Sequence, residues 1–212
     1  MLSQTIRHSA ITLGIFALLA TGMVAGFHAL TDRRIEQSLQ LSLESSLTAL
    51  VSKTLYNNDL LHDTLAIKNS ELLHLEGTEI AYRARKDGKP VAVIFPVIAP
   101  DGYSGKIRLL IAIYANGDIA GVRVLSHKET PGLGDAIELE KSSWLLDFNH
   151  KSLLSTNDVA WHVKKDHGIF DQFTGATITP RAVVKAVHNA LLYYQTHQEL
   201  LFSPQIPTPV HE

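Results

Sequence analysis

The sequence predicts an α+β protein: an N-terminal transmembrane helix followed by a single domain with a mostly antiparallel sheet and flanking helices. Three observations predict it. Ser9–Leu30 runs without a single Lys, Arg, Asp or Glu. Between Glu79 and Leu125, short apolar runs alternate with turn signals, which is strand and hairpin patterning. From Pro180 to Thr196 the apolar residues return to helical spacing.

The elements follow in chain order. At about 1.5 Å per residue, Ser9–Leu30 reaches about 33 Å, enough for a hydrocarbon core of about 30 Å. The rival reading is a cleaved signal peptide, opened by Arg7 and closed by Ala25 and Gly26. We read an anchor, because the apolar region of a signal peptide is usually about 7–15 residues long. Charge does not orient the span, since Arg7 on one side is set against Arg33 and Arg34, offset by Asp32, on the other. Asp32–Leu55 carries Ile35, Leu39, Leu43, Leu47, Leu50 and Leu55 near helical spacing, an amphipathic helix continuing from the membrane. Tyr56–Asp59 breaks it, and the stretch to Glu76 reads as loop or short helix.

Ile80–Ala84, the Lys86–Lys89 turn and Val91–Ile98 read as strand, turn and strand, with Pro96 pointing to an edge or bulge. Ile107–Tyr114 and Ile119–Leu125 flank Asn116-Gly117, the pair that a type I′ hairpin turn favours. Asp135–Leu145 is expected to be helical and Val159–Val163 a short strand. In the last helix Ala182, Val183, Ala186, Val187, Ala190, Leu191 and Tyr194 point inward, with Thr179 as N-cap before Pro180. From Ser203 the Pro-rich tail is expected to fray.

Composition excludes several functions. The chain has 212 residues, 45% of them hydrophobic, with a net charge of -2 from 19 basic and 21 acidic side chains, so it can build a core but offers no basic stripe for nucleic acid. With no cysteine there is no disulfide, iron–sulfur site or thiol nucleophile. The 11 histidines lack H-x-x-x-H or H-x-H pairing, and no metal site is expected. Ser104 and Ser152 lack a nucleophile-elbow context, and Trp144 and Trp161 read as core residues.

Two segments carry chemistry. Phe170–Arg181, FDQFTGATITPR, crowds hydroxyls around a Gly-Ala pair before a helix. One account makes them turn and cap hydroxyls. The other makes one hydroxyl a covalent attachment point for a phosphate, since Thr177 precedes the positive end of a helix and lies near Arg181. Ser126–Asp135, SHKETPGLGD, is a preset Gly/Pro loop able to approach a flat ligand, although its spacing alone is only that of a loop entering a helix.

In this order, SHKETPGLGD after a hairpin and DQFTGATITPRAVV near the C-terminus resemble the FMN-binding domain of the G subunit of the Rnf/Rsx ion-translocating electron transport complex, a relative of the C subunit of the sodium-pumping NADH:quinone reductase. The resemblance covers nearly the whole chain. It implies a flavinylation motif at Asp171-x-x-Thr174-Gly175-Ala176-Thr177, with Thr177 esterified to the FMN phosphate by a separate Mg-dependent flavin transferase that uses FAD. It also implies that Glu129, Thr130, Gly132, Leu133 and Gly134 lie against the isoalloxazine ring. One departure is His167, where the family leads us to expect a second glycine before the motif.

The organisation expected is a cytoplasmic stub at 1–8, a span at 9–30, a juxtamembrane helical region at 31–78, an FMN-binding domain at 79–200 and a flexible tail at 201–212. By the same resemblance the protein is a single-pass inner-membrane subunit with a cytoplasmic N-terminus and a periplasmic domain. It relays electrons among the other subunits of a complex that couples ferredoxin- or NAD-linked redox chemistry to ion translocation, and is not catalytic alone. Flavin chemistry needs the ring positioned and its potential tuned, and amides of Gly132–Gly134 or the Lys128 ammonium are the expected groups. The alternatives are a flavin-free structural or assembly subunit and a stand-alone flavin-dependent reductase.

Overall fold

The computed structural model describes residues 2–203, without the side chains of 2–5, 9, 27–42 and 158. Helix α1 (Leu2–Leu50) is one uninterrupted element. Its stretch Ile6–Gly26 is long and apolar enough to cross a membrane and buries nothing within the chain. The chain divides into two compact units, residues 1–45 and 46–212. In the first unit, the expectations for Ile35 and Leu39 fall outside the described side chains. In the second, the helix stops at Leu50, short of Leu55, which is exposed.

The second unit is a meander of five strands, β1 (Thr64–Lys68), β2 (Thr78–Lys86), β3 (Lys89–Ala99), β4 (Ile107–Tyr114) and β5 (Ile119–Ser126), paired in that order and all antiparallel. β1 lies in the stretch expected as loop or short helix; only its pairing with β2 gives TLAIK a strand identity. The hairpin geometry is also redistributed. Asp87 (φ 51) and Gly88 (φ 77) form the two-residue turn with both centres left-handed, between the paired Lys86 and Lys89. At Asn116-Gly117 only Gly117 is left-handed (φ 92). There the Asn116 carboxamide accepts the Asp118 N–H at 3.1 Å, and the longer loop comes with a register shift in the ladder.

β3 is central, yet Pro96 costs no ladder bond. The register with β2 ends at Tyr82–Ile94, and beyond it the next amide on that side, Ile98 N–H, donates to the Leu73 carbonyl. The strand is locally an edge, as the proline required.

Both sheet faces are buried. Phe95, Ile111 and Val122 lie side by side across the ladders and face α2 (Ile178–Phe202), where Phe95 meets Tyr193 with ring centroids 5.8 Å apart. On the other face, Ile94, Ala112 and Gly121 are level, and Leu50 Cδ2 sits where a side chain on Gly121 would be. All seven α2 residues expected to point inward are buried.

Three expectations are corrected. Asp135–Leu145 is not an α-helix but two 3-10 turns, Gly134–Ile137 and Trp144–Phe148. Val159–Val163 is not a strand: Asp158–Ala160 is a 3-10 turn, and Val163 makes a single bridge to Phe170. The C-terminus is pinned further than composition suggested. Leu201 is fully buried, and the Ser203 carbonyl accepts from Arg83 Nη1 at 2.7 Å and Arg85 Nη2 at 3.0 Å. The expected flexible tail beyond Ser203 lies outside the described residues.

Candidate functional site

Leaving β5, the chain folds back on itself through Thr130, whose carbonyl accepts the amides of Leu133 and Gly134 at 3.1 Å each and of Asp135 at 3.4 Å. The Leu133 and Gly134 amides, two of the three expected to serve the ring, are thus engaged within the loop. The loop is braced from outside as well. Lys141 Nζ reaches Asp135 Oδ2 at 2.7 Å and Glu138 Oε1 at 2.9 Å, and holds both carboxyls below their ordinary range. His127 accepts the Glu129 N–H through Nδ1 at 3.0 Å and meets Glu138 Oε1 through Nε2 at 2.8 Å, which fixes the tautomer protonated on Nε2.

Glu129 is 4% exposed. Its Oε1 accepts the Ser104 N–H at 3.0 Å, and its Oε2 accepts a short hydrogen bond from the Thr179 hydroxyl. One carboxyl thus ties the loop to the Gly102–Ser104 turn and to the first turn of α2. Neighbouring glycines make room for it: a Cβ on Gly134 would sit 2.8 Å from Glu129 Oε2, and one on Gly102 would sit 2.9 Å from Oε1.

The second segment enters from a β-turn over Phe173–Ala176, closed by Ala176 N–H to the Phe173 carbonyl at 3.1 Å. Gly175 holds φ 79 at its third position, a conformation that type II turns reserve largely for glycine. Next, Thr177 is the N-cap of α2 (φ -72, ψ -28), and its hydroxyl makes no capping hydrogen bond. Thr179, the expected N-cap, lies inside the helix, fully buried on Glu129. The predicted cap fails because the helix starts two residues early, which lets Thr179 satisfy a buried carboxyl instead.

The two segments enclose a cavity of about 560 Å³, lined by Tyr103, Glu129, Thr130, Leu133, Gly134, Lys165, Gly175, Ala176, Thr177, Ile178 and Thr179. That volume lies within the roughly 300–1,000 Å³ of small-molecule sites. Of the residues singled out from sequence, the cavity gathers Glu129, Thr130, Leu133, Gly134, Gly175, Ala176 and Thr177. Lys128, Gly132, Asp171 and Thr174 stand outside its lining. Asp171 instead pairs with Lys164 at 2.7 Å. Arg181, expected beside a phosphate, forms a two-toothed pair with Asp166 and depresses that carboxyl.

The cation that lines the cavity is Lys165, exposed and without an ion-pair partner among the described residues. Sequence reasoning misses it, along with Tyr103, an aromatic ring 67% exposed in a turn. The position of a large aromatic residue directly after Asp101-Gly102 is the one available signal. His167 occupies a left-handed conformation (φ 65), the geometry that favours the glycine expected there. At Gly168 a Cβ would collide with the His162 carbonyl oxygen at 1.9 Å, so the turn that positions Lys165 requires this glycine.

These groups fit a phosphorylated flat ligand. The first amides of α2 lack helical acceptors and, with the helix dipole, favour an anion beside the uncapped Thr177 hydroxyl. Lys165 adds charge, and the Leu133, Tyr103 and Ile178 side chains give apolar surface. Comparison with known proteins points the same way. Residues 102–192 match the FMN-binding domain family, and residues 1–50 match the RnfG N-terminal region. The chain is 44% identical to the G subunit of the ion-translocating oxidoreductase complex of Shewanella loihica, over 95% of both chains. It is 46% identical to that of Pseudomonas aeruginosa, over 95% of this chain and 94% of the other, and 45% to that of Vibrio cholerae, over 95% and 96%. With both family regions matched and relatives this similar along its length, the chain belongs to the G-subunit family of ion-translocating oxidoreductase complexes.

Proposed function

We propose that the chain is the electron-carrying subunit of an Rnf/Rsx-type ion-translocating complex, with FMN seated in the cavity and esterified through its phosphate to Thr177. The observation that carries this reading is the Thr177 hydroxyl itself. It caps nothing, lines the cavity and stands at the positive end of α2. A separate flavin transferase would form the Thr177 Oγ–phosphorus bond as the pyrophosphate bond of FAD breaks and AMP leaves with the hydroxyl proton. FMN then supplies one- or two-electron exchange, and the protein supplies position. Leu133, Thr130 and Tyr103 bound the ring, Lys165 neutralises phosphate charge, and Glu129 holds the three contributing segments together. Gly175 and Ala176 leave the hydroxyl open to the transferase.

The remaining subunits of the complex are the electron donor and acceptor, and ferredoxin- or NAD-linked chemistry drives the ion movement. Ile6–Gly26 anchors the chain in the bacterial inner membrane, with the N-terminus cytoplasmic and the flavin domain periplasmic. A tethered flavin suits that compartment, because occupancy no longer depends on free FMN.

The test is intact mass after co-expression with a flavin transferase, beside Thr177→Ala. A gain of one FMN less one water in the parent chain, absent from the variant, is expected. No gain from a transferase active on another substrate would instead favour a flavin-free structural subunit. Turnover of a soluble substrate by the isolated chain would favour a stand-alone reductase.

A further inference from the structure

The acceptor turn is short, and its outer half is exposed: Asp171, Thr174 and Gly175 all face solvent. Thr177 nevertheless has to be presented at one place for its oxygen to meet a phosphorus atom. One side chain distant in sequence, Trp144, contacts the turn from outside at two points. Its indole Nε1–H donates to the Asp171 carbonyl at 2.8 Å. Its ring meets Phe173 edge-on, with centroids 5.1 Å apart and planes at 70°. Asp171 and Phe173 begin the DQFTGAT segment, and the Phe173 carbonyl closes the turn by accepting the Ala176 amide. Trp144 is itself held in the core, 6% exposed and edge-on to Phe148 at 5.2 Å, which in turn stacks on Phe170 at 4.5 Å.

We propose that Trp144 is a positioning residue for flavin transfer: it fixes the acceptor turn to the core so that the Thr177 oxygen is held where the FMN phosphate of FAD is delivered. The inference rests on the covalent reading of Thr177. It differs from the ordinary role of a core tryptophan, because the indole N–H serves the backbone of the modified segment and no other group among the described residues. A small misplacement of a reacting group lowers a rate far more than it lowers binding.

The test uses the full chain in detergent with purified Mg-dependent transferase and FAD, following modification by intact mass. Trp144→Phe keeps an aromatic ring and removes the N–H. Phe95→Leu loosens the core at its contact with Tyr193 and leaves the Trp144, Phe148 and Phe173 rings in place. Removal of one such hydrogen bond is expected to lower kcat for modification by about tenfold, with KM for the chain unchanged because the exposed side chains remain available for recognition. Phe95→Leu, compared at a matched loss of Tm, should be modified at the parental rate. Should Trp144→Phe fail to fold, Phe173→Leu removes the ring contact from the turn's side and is expected to show the same split. Modification of Trp144→Phe at the parental rate would overturn the proposal, as would equal slowing by Phe95→Leu. If the parent chain itself gained no mass with a proven transferase, the covalent reading would fail first and this inference with it.

Discussion

Gly134→Ala separates a steric role for glycine from a conformational one. The new Cβ would lie 2.8 Å from Glu129 Oε2, 2.8 Å from Thr179 Oγ1 and 3.0 Å from Glu129 Cβ. These approaches are too close to stand without movement, and neither partner has space to retreat, with Glu129 4% and Thr179 0% exposed. Overpacking of this kind costs about 1–3 kcal/mol, and forcing the Thr179–Glu129 hydrogen bond apart adds about 1–2 kcal/mol. A total of about 3 kcal/mol corresponds to about 6–12 °C in Tm for a domain of this size. Gly132 is the control. Its φ is +76 but a Cβ there meets open space, so Gly132→Ala incurs backbone strain alone, about 1 kcal/mol or about 2–4 °C. Thermal unfolding followed by near-ultraviolet circular dichroism on both variants measures the difference. If Gly134→Ala melted no lower than Gly132→Ala, the clamp formed by Glu129 would not hold the cavity together as argued.

Three further outcomes follow from the same contacts. His167→Gly relieves a left-handed histidine and is expected to raise stability by about 0.5–1 kcal/mol; a lower Tm would show that the His167 side chain holds the turn. In a Thr177→Ala background, where binding is reversible, Lys165→Ala should weaken FMN about three- to tenfold, and the difference should shrink in high salt by isothermal titration. The Lys141 brace is pH-dependent with a definite sign. Asp135 and Glu138 have lowered folded values, so their contribution is present above their unfolded pKa of about 4 and is lost as pH falls through the folded values. The Tm gap between the parent chain and Lys141→Met should therefore begin to close below about pH 4 and vanish once both carboxyls are protonated. A gap that persisted there would assign Lys141 a packing role instead.

By itself the sequence determined what depends on local pattern. The charge-free run that becomes the apolar stretch of α1 is legible because a membrane-spanning length needs no partner to define it. β2 to β5 are legible because short apolar runs bounded by turn signals mark strands, and α2 because helical spacing marks its inward face. The two chemical segments are legible because glycines with special backbone demands, such as Gly175, sit beside polar residues at short spacing. Tertiary structure decided the rest. TLAIK is a strand only because β2 lies beside it. WLLDF and GDAI wind as 3-10 turns because their buried residues pack onto the sheet end and the DQFTGAT segment rather than along one long helical face. Thr179 became a buried partner of Glu129, 50 residues away, instead of a cap. Arg181 was drawn to Asp166, and Lys165 took its place at the cavity. Spacing along a chain constrains what neighbours in sequence can do, while the pairing of a carboxyl, a hydroxyl or a cation depends on which distant segment folding brings within about 3 Å.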